Sequence, residues 1–328
     1  MHPAKKFTSD IGIQTPVICG PMYPGSNPEL IAAVSEAGGL GVVQPVAMTY
    51  VYGHDFRKGL QLIKNLTKKP FGVNFTLVKG NKTYQKRLRK WLDISLEENV
   101  PFFLTSLGNP DWIVKKAHAQ NIKVYHDTPS RKFALKVVDV GVDGLIAVNN
   151  RAGGQTGFIS PEQLFEDLQD LGLPVVCAGG VGNTEDFKKM LQLGYAAVQM
   201  GTRFLATQEC QIQNNYKQAI VEAREKDIIW TNKIAGVNSS VIKTPDIEKL
   251  GLQTGPLMSY LLRQRRTKNL VRSMFMLKSM IRFKKVANKS SYVQYWQAGK
   301  GVSHIDKIEP VSRVLKGFHH SYEQFLAT

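Results

Sequence analysis

The chain has 328 residues, 43% of them hydrophobic, and a formal net charge of +17. That is enough chain to bury a core without staples, and the three scattered cysteines, Cys19, Cys177 and Cys210, fit neither a metal site nor a disulfide framework. Two early lysines precede no apolar stretch, and no uncharged apolar run reaches the ~20 residues of a membrane helix, so the expectation is a soluble, cytoplasmic protein without a metal.

The first 210 residues repeat one pattern: a short apolar run, a turn, then a stretch with helical spacing. The apolar runs fall at 17–20, 40–43, 71–74, 102–105, 123–126, 144–148, 175–178 and 197–200. They are continuous in apolar character, as parallel strands buried on both faces should be. Helices are expected at 28–37, 81–98, 110–120, 129–140, 161–171 and 184–193. Several begin with proline in the first turn, and Asn27 is placed to cap the first.

Eight strands alternating with helices fit a closed barrel or a doubly wound open sheet. The glycines favour the barrel. They gather after the last three strands, at Gly153-Gly154, Gly179-Gly180 and Gly201, where a barrel carries its active face and its phosphate sites. The expected fold class is therefore α/β, a (β/α)8 TIM barrel with an α-helical insertion near the C-terminus. Residues 1–230 would form the barrel, 231–300 a basic α-helical insertion, and 301–328 a C-terminal helix packed back on the barrel. The stretch 263–289 holds ten Arg or Lys and no Asp or Glu. It reads as a solvated surface, or as a patch for an anionic membrane, nucleic acid or an acidic carrier protein.

Two segments suggest an anion site. Val175 to Asn183 is a strand running into glycines and then a helix, and Val198 to Phe204 repeats the idea one strand later. Glycine lets the backbone approach an anion, and a helix start offers N–H groups and the positive end of a dipole. Gly179, Gly180, Gly201 and Thr202 are the residues that result, with Ala178 and Gln199 beside them as further candidate ligand contacts. The plain alternative is that each glycine only turns the chain.

At this point the chain resembles the nitronate monooxygenase family. The resemblance is carried by Gly20-Pro21-Met22, by 32–41, by Phe71-Gly72-Val73-Asn74-Phe75, by Gly141-Val142-Asp143-Gly144, by Ala152-Gly153-Gly154, by Ala178-Gly179-Gly180 and by 199–207. It implies non-covalent FMN. Pro21 and Met22 would lie against the flavin ring, Asn74 would hydrogen-bond it, Gly153 and Gly154 would line the loop above it, and the glycine segments would hold its phosphate.

Two departures stand out. Where the family has Ala-Gly-Gly-His, this chain has Ala152-Gly153-Gly154-Gln155, and an amide cannot take the proton that the histidine takes. Gln155 can still donate a hydrogen bond to a nitro or carbonyl oxygen. Where some quinone-reducing relatives carry a lysine, the chain reads His126-Asp127. His126 is the candidate substitute base, with ligand orientation and a plain structural role as alternatives. Strand neighbours face opposite sides, so Asp127 and His126 need not meet. Tyr23 is a candidate to stack on flavin or substrate. Arg151 is a candidate for an anionic substrate or the phosphate, or else a surface ion pair.

Three functions compete. The first is oxidation of alkyl nitronates by O2 with FMN. The second is NAD(P)H-dependent reduction of a quinone or an enoyl thioester. The third is a catalytically impaired flavin-binding protein. A small-molecule substrate, O2 and a second copy of the chain as homodimer are the expected partners, with the carrier protein or membrane for the basic stretch. Nucleic acid is not expected.

Overall fold

The computed structural model describes residues 2–78, 80–234, 238–255 and 295–327, with a few positions between 258 and 274. Eight parallel strands close into a barrel: β1 (Val17–Cys19), β2 (Leu40–Val43), β3 (Phe71–Thr76), β4 (Phe102–Ser106), β5 (Lys123–Thr128), β6 (Gly144–Val148), β8 (Val175–Ala178) and β9 (Ala197–Met200). β9 pairs back onto β1, with Ile18 opposite Gln199, and this closure excludes the open sheet. The short β7 (Gly154–Gln155) lies outside the barrel.

The barrel strands are apolar on both sides because both sides are covered. Ile18, Leu40, Val42, Phe102, Leu104, Tyr125, Ile146, Val176 and Ala197 form one buried cluster that fills the barrel. Their strand neighbours, among them Val17, Val43, Val73, Phe103, Val124, Leu145 and Val198, pack in a second cluster with the helices outside. Those helices are α2 (Pro28–Glu36), α3 (Phe56–Leu66), α4 (Lys82–Glu97), α5 (Asp111–His118), α6 (Arg131–Val138), α7 (Pro161–Leu168) and α8 (Thr184–Leu193). A last helix, which we call α12 (Val311–Ala327), packs on α8 and α2 and fills the gap in the ring, with Phe318 edge-on to Phe187 at 5.3 Å.

Two helices were not legible as elements beforehand. α1 (Pro3–Ile11) starts at Pro3 behind the capping His2 side chain. Its Phe7 and Ile11 join the barrel-filling cluster and stopper the barrel's lower end, away from the strands' C-terminal ends. α3 begins at Asp55, whose carboxylate accepts from the Lys58 N–H, and buries Phe56, Leu60 and Ile63 at helical spacing.

Between β9 and α12 the chain makes a long excursion. It contains α9 (Thr202–Leu205), α10 (Asn214–Glu222), β10 (Ile228–Thr231), β11 (Ser239–Ile242) and α11 (Pro245–Leu250). The expectation of an all-helical insertion from 231 onward needs correction. β10 and β11 pair antiparallel, and β11 then pairs with β7, giving a three-stranded sheet in the order β10-β11-β7. β10 reads Ile-Ile-Trp-Thr and β11 ends in Val-Ile, β-branched and aromatic residues that suit strands, and Ser239 and Ser240 find main-chain partners in Gln155 and Gly154. Most of the basic stretch 263–289, with its amphipathic pattern at Leu270, Leu277 and Ile281, lies outside the described residues. Among the described residues no helix is long and apolar enough to cross a membrane.

Candidate active site

Interior-facing positions recur every second residue along a strand. Continuing each barrel strand by that rule past its apolar core reaches the mouth. Gly20, Gln44, Asn74, Thr76, Ser106, Asp127, Val148, Ala178 and Gln199 all line one cavity of about 340 Å³ there. All eight strands contribute. The rest of the lining comes from the loops after β1, β6, β8 and β9, and from the excursion, through Ser239, Gln297, Gly299 and Gly301.

Almost every site residue expected from the sequence is brought together here. Pro21, Met22, Tyr23, Asn74, Arg151, Gly153, Gly154, Gln155, Ala178, Gly179, Gly180, Gln199, Gly201 and Thr202 all line the cavity. His126 does not. It sits on the outer face of β5, buried at 4% exposure, with its Nδ1 2.8 Å from the Thr105 hydroxyl. Burial pushes its pKa down to about 4, so it is neutral at physiological pH. Asp127, its neighbour, is the one that faces inward.

The polar groups of the mouth are incompletely satisfied. Asn74 donates to the Thr76 hydroxyl at 3.2 Å, and Ser106 donates to the same oxygen at 3.2 Å. The Oδ1 of Asn74, the Oε1 of Gln199 and the Oδ1 of Asp127 are shielded from solvent with no protein partner. Unpaired buried acceptors are costly, and three at the strand ends around one cavity mark a place for a ligand that donates hydrogen bonds. Burial raises the Asp127 carboxyl to about 7. The folded protein then holds a proton that the unfolded chain releases at lower pH. This contribution to stability is full below the ordinary carboxylate range and is lost as pH rises through about 7. Asp127→Asn is therefore expected to raise the Tm of the flavin-free protein at pH 8 by more than at pH 5. A smaller gain at pH 8 than at pH 5 in scanning calorimetry would contradict that environment.

Beyond the strand ends, the loops that line the cavity are rich in glycine. Gly179 and Gly180 have φ of +122° and +87°, backbone that other residues rarely adopt. A Cβ on Gly179 would lie 2.5 Å from both the Ala152 nitrogen and Asn149 Oδ1, and one on Gly153 would lie 2.6 Å from the Gly299 nitrogen. Three loops thus meet main chain to main chain. Asn149, fully buried, ties two of them: its Nδ2 donates to Gly179 O at 3.0 Å, and its Oδ1 accepts from Arg151 N at 2.8 Å. Thr202 accepts from Gly299 N at 3.0 Å and binds the third loop.

Two contacts bear on anion binding. The start of α8 is partly taken up by the chain itself. Asn183 accepts from the Asp186 N–H, Asp186 accepts from the Gly182 N–H at 2.9 Å, and Glu185 and Asp186 put negative charge in the first turn. The main-chain N–H groups that reach the cavity lining are those of the glycine loops. Arg151 reaches the lining, but Glu225 grips its guanidinium through two hydrogen bonds of 3.1 and 2.8 Å. Lys300 lies 3.3 Å from the same Glu225, so two cations share one carboxylate and this rim stays net positive.

Residues missed beforehand are Gln44, Thr76, Ser106 and the 297–301 segment. The first three follow from period-two continuation of β2, β3 and β4. Gln297 and its neighbours carry no such signal, because a bridge between Val241 and Gln297 brings them in from afar.

A parallel barrel with a polar cavity at the C-terminal ends of its strands is the architecture of a barrel enzyme. The profile of the nitronate monooxygenase family matches residues 5–319, and the chain belongs to that family of FMN-dependent oxidoreductases. It is 29% identical over 245 residues to the (3aS,4S,5R,7aS)-5-hydroxy-7a-methyl-1-oxo-octahydro-1H-indene-4-carboxyl-CoA dehydrogenase of Rhodococcus jostii, covering 74% of this chain and 67% of that one. It is 26% identical over 292 residues to a probable nitronate monooxygenase of Staphylococcus saprophyticus, covering 76% and 81%. Among solved structures, FabK from Thermotoga maritima superposes with a TM-score of 0.80 at 26% identity, covering 98% of this chain and 97% of that one.

Proposed function

We propose that the protein oxidises alkyl nitronates with O2, using FMN held non-covalently in the mouth cavity. The supporting observation is that the strand ends and the glycine loops of one cavity offer groups that match the two ends of that cofactor. The glycine loops, with Gly179, Gly180, Gly201 and Thr202, offer main-chain donors and a hydroxyl to a phosphate. The strand ends, with Asn74 and Gln199, offer unpaired amide oxygens to a ring that carries N–H groups. Pro21 and Met22 would lie against the ring, and Gly153 and Gly154 over it.

The chemistry that FMN supplies when bound is acceptance of electrons from the substrate and their delivery to O2. The chain's own residues bind and orient. Gln155 stands exposed in β7, its main chain fixed by pairing with Ser239. It donates an amide N–H to a nitro oxygen but takes no proton. A nitronate is already the carbanion, so it needs no base. Tyr23 and the β10–β11–β7 sheet close the rim around the substrate.

The test is oxygen consumption by the flavin-loaded protein with ethylnitronate or propionate-3-nitronate. Turnover is expected with both. Flavin-loaded protein that consumes no O2 with either compound rejects the reading.

The Rhodococcus relative, a dehydrogenase whose name specifies a CoA thioester, favours a second reading in which the same flavin acts on a thioester. NAD(P)H would be the electron donor for the reductive direction. Anaerobic mixing with NADH or NADPH separates the two: rapid bleaching of the flavin supports the thioester reading, and none within minutes removes it.

A further inference from the structure

We propose that Asp127 is the proton-exchanging group of this cavity, able to take the proton from the carbon that bears the nitro group of a neutral nitroalkane. The inference rests on the oxidoreductase reading above and extends its substrates from nitronates to their protonated parents.

The placement carries it. Tyr125 and Asp127 are successive interior residues of β5, one in the barrel core and the other in the cavity. Asp127 Oδ1 has no hydrogen-bond partner although it is shielded from solvent. The strands on either side, β4 and β6, present Ser106 and Val148 to the cavity, and neither titrates. The nearby hydroxyls are turned to each other, since Ser106 and Asn74 both donate to Thr76. The remaining ionisable side chains of the lining are Tyr23, Arg151 and Tyr216. Burial pushes the Tyr23 phenol up to about 12, which takes it out of proton exchange near neutrality. Arg151 is held by Glu225. Among the described lining residues, Asp127 is the sole carboxylate, and there is no histidine. His126 faces the outer layer and Thr105.

The step is a proton transfer with no change of oxidation state. The C–H bond next to nitrogen breaks, and its electron pair becomes the C=N bond of the nitronate. The N=O electron pair moves onto oxygen, and Asp127 carboxylate takes the proton. Burial places this carboxyl near neutrality, at about 7, where a base is strong enough to act and is still largely ionised above that pH. The negative charge that forms on the nitro oxygens lies in a cavity whose rim carries Arg151 and Lys300.

Two measurements test this. The first is infrared titration of the flavin-free protein. A protonated-carboxyl band is expected to fade with a midpoint near 7 and to be missing from Asp127→Asn. A wild-type spectrum with no such band between pH 5 and 8 overturns the proposal, whatever the enzyme turns over. The second compares kcat/KM for freshly dissolved nitroethane with that for ethylnitronate on flavin-loaded enzyme. The nitroethane value of the wild type is expected to rise with pH through about 7. The ratio of nitroethane to ethylnitronate is expected to fall at least about 100-fold in Asp127→Asn, the scale of a lost general base. A ratio within about threefold of wild type overturns the proposal. Wild-type enzyme inert to ethylnitronate would instead overturn the nitronate reading, while the infrared titration still decides whether Asp127 exchanges protons.

Discussion

Gly179→Ala is expected to weaken FMN binding by at least about 100-fold and to lower stability by about 2 kcal/mol or more. The residue sits at φ +122°, where a side chain is strained whatever the space around it. The space is also taken, since the new Cβ would meet the Ala152 nitrogen and Asn149 Oδ1 at 2.5 Å. Neither obstacle is the end of a flexible chain. The loop after β8 must therefore move away from the loop after β6, and the main-chain donors facing the cavity move with it. Losing two charge-assisted hydrogen bonds to a phosphate, at about 1.5 kcal/mol or more each, gives the stated factor. Gly201→Ala is the instructive comparison. Its φ is ordinary, and its Cβ would meet only the flexible Met22 side chain at 3.3 Å, so its cost in stability should be well under that of Gly179→Ala. Fluorescence titration with FMN and thermal melts of both variants check the pair. Equal stability losses would mean that the backbone at Gly179 is not what fixes the loop.

Asn149→Ala is expected to have the second large effect. This side chain joins Gly179 O to Arg151 N, and its Nδ2 also lies 3.4 Å from Cys177 Sγ. Removing it leaves a buried carbonyl and a buried N–H short of a partner, at about 1 to 3 kcal/mol apiece. The two loops it ties are among the glycine loops, so FMN binding should fall together with Tm. Asn149→Asp restores an acceptor for Arg151 N but turns a carboxylate towards the Gly179 carbonyl, so it should not rescue. Calorimetry with and without FMN is the check. A Tm within about 1 °C of wild type for Asn149→Ala would show that the clasp carries little of the loop geometry.

Much of the fold was legible because burial on both faces leaves an unmistakable run of apolar residues at each barrel strand. The closed ring was legible less directly, through glycines after the last strands, and the pairing of β9 with β1 settles it. Local spacing could not foresee the sheet in the excursion. Ser239 and Ser240 are polar, and their strand exists because the main chain of Gly154 and Gln155 stands ready to pair. The glycine loops were readable as sequence motifs. The strand ends were readable only in part: Asn74 and Gln199 lie in motifs, whereas Gln44, Ser106 and the inward turn of Asp127 follow no motif and emerge only when strand parity is carried two residues past the core. The same parity turns His126 outward and Asp127 inward. At the start of α8, Asn183 and Asp186 take up two N–H groups with bonds that spacing alone does not reveal.

If FMN is held as proposed, the glycine loops grip its phosphate. Titration of flavin-free protein with FMN and, separately, with riboflavin tests it most directly, because the two ligands differ only in that group. FMN is expected to bind at least about 100-fold more tightly, an advantage of about 3 kcal/mol, and to give a yellow complex that releases its colour on heating. Equal affinities for FMN and riboflavin, or a protein that stays colourless with both, would contradict the account.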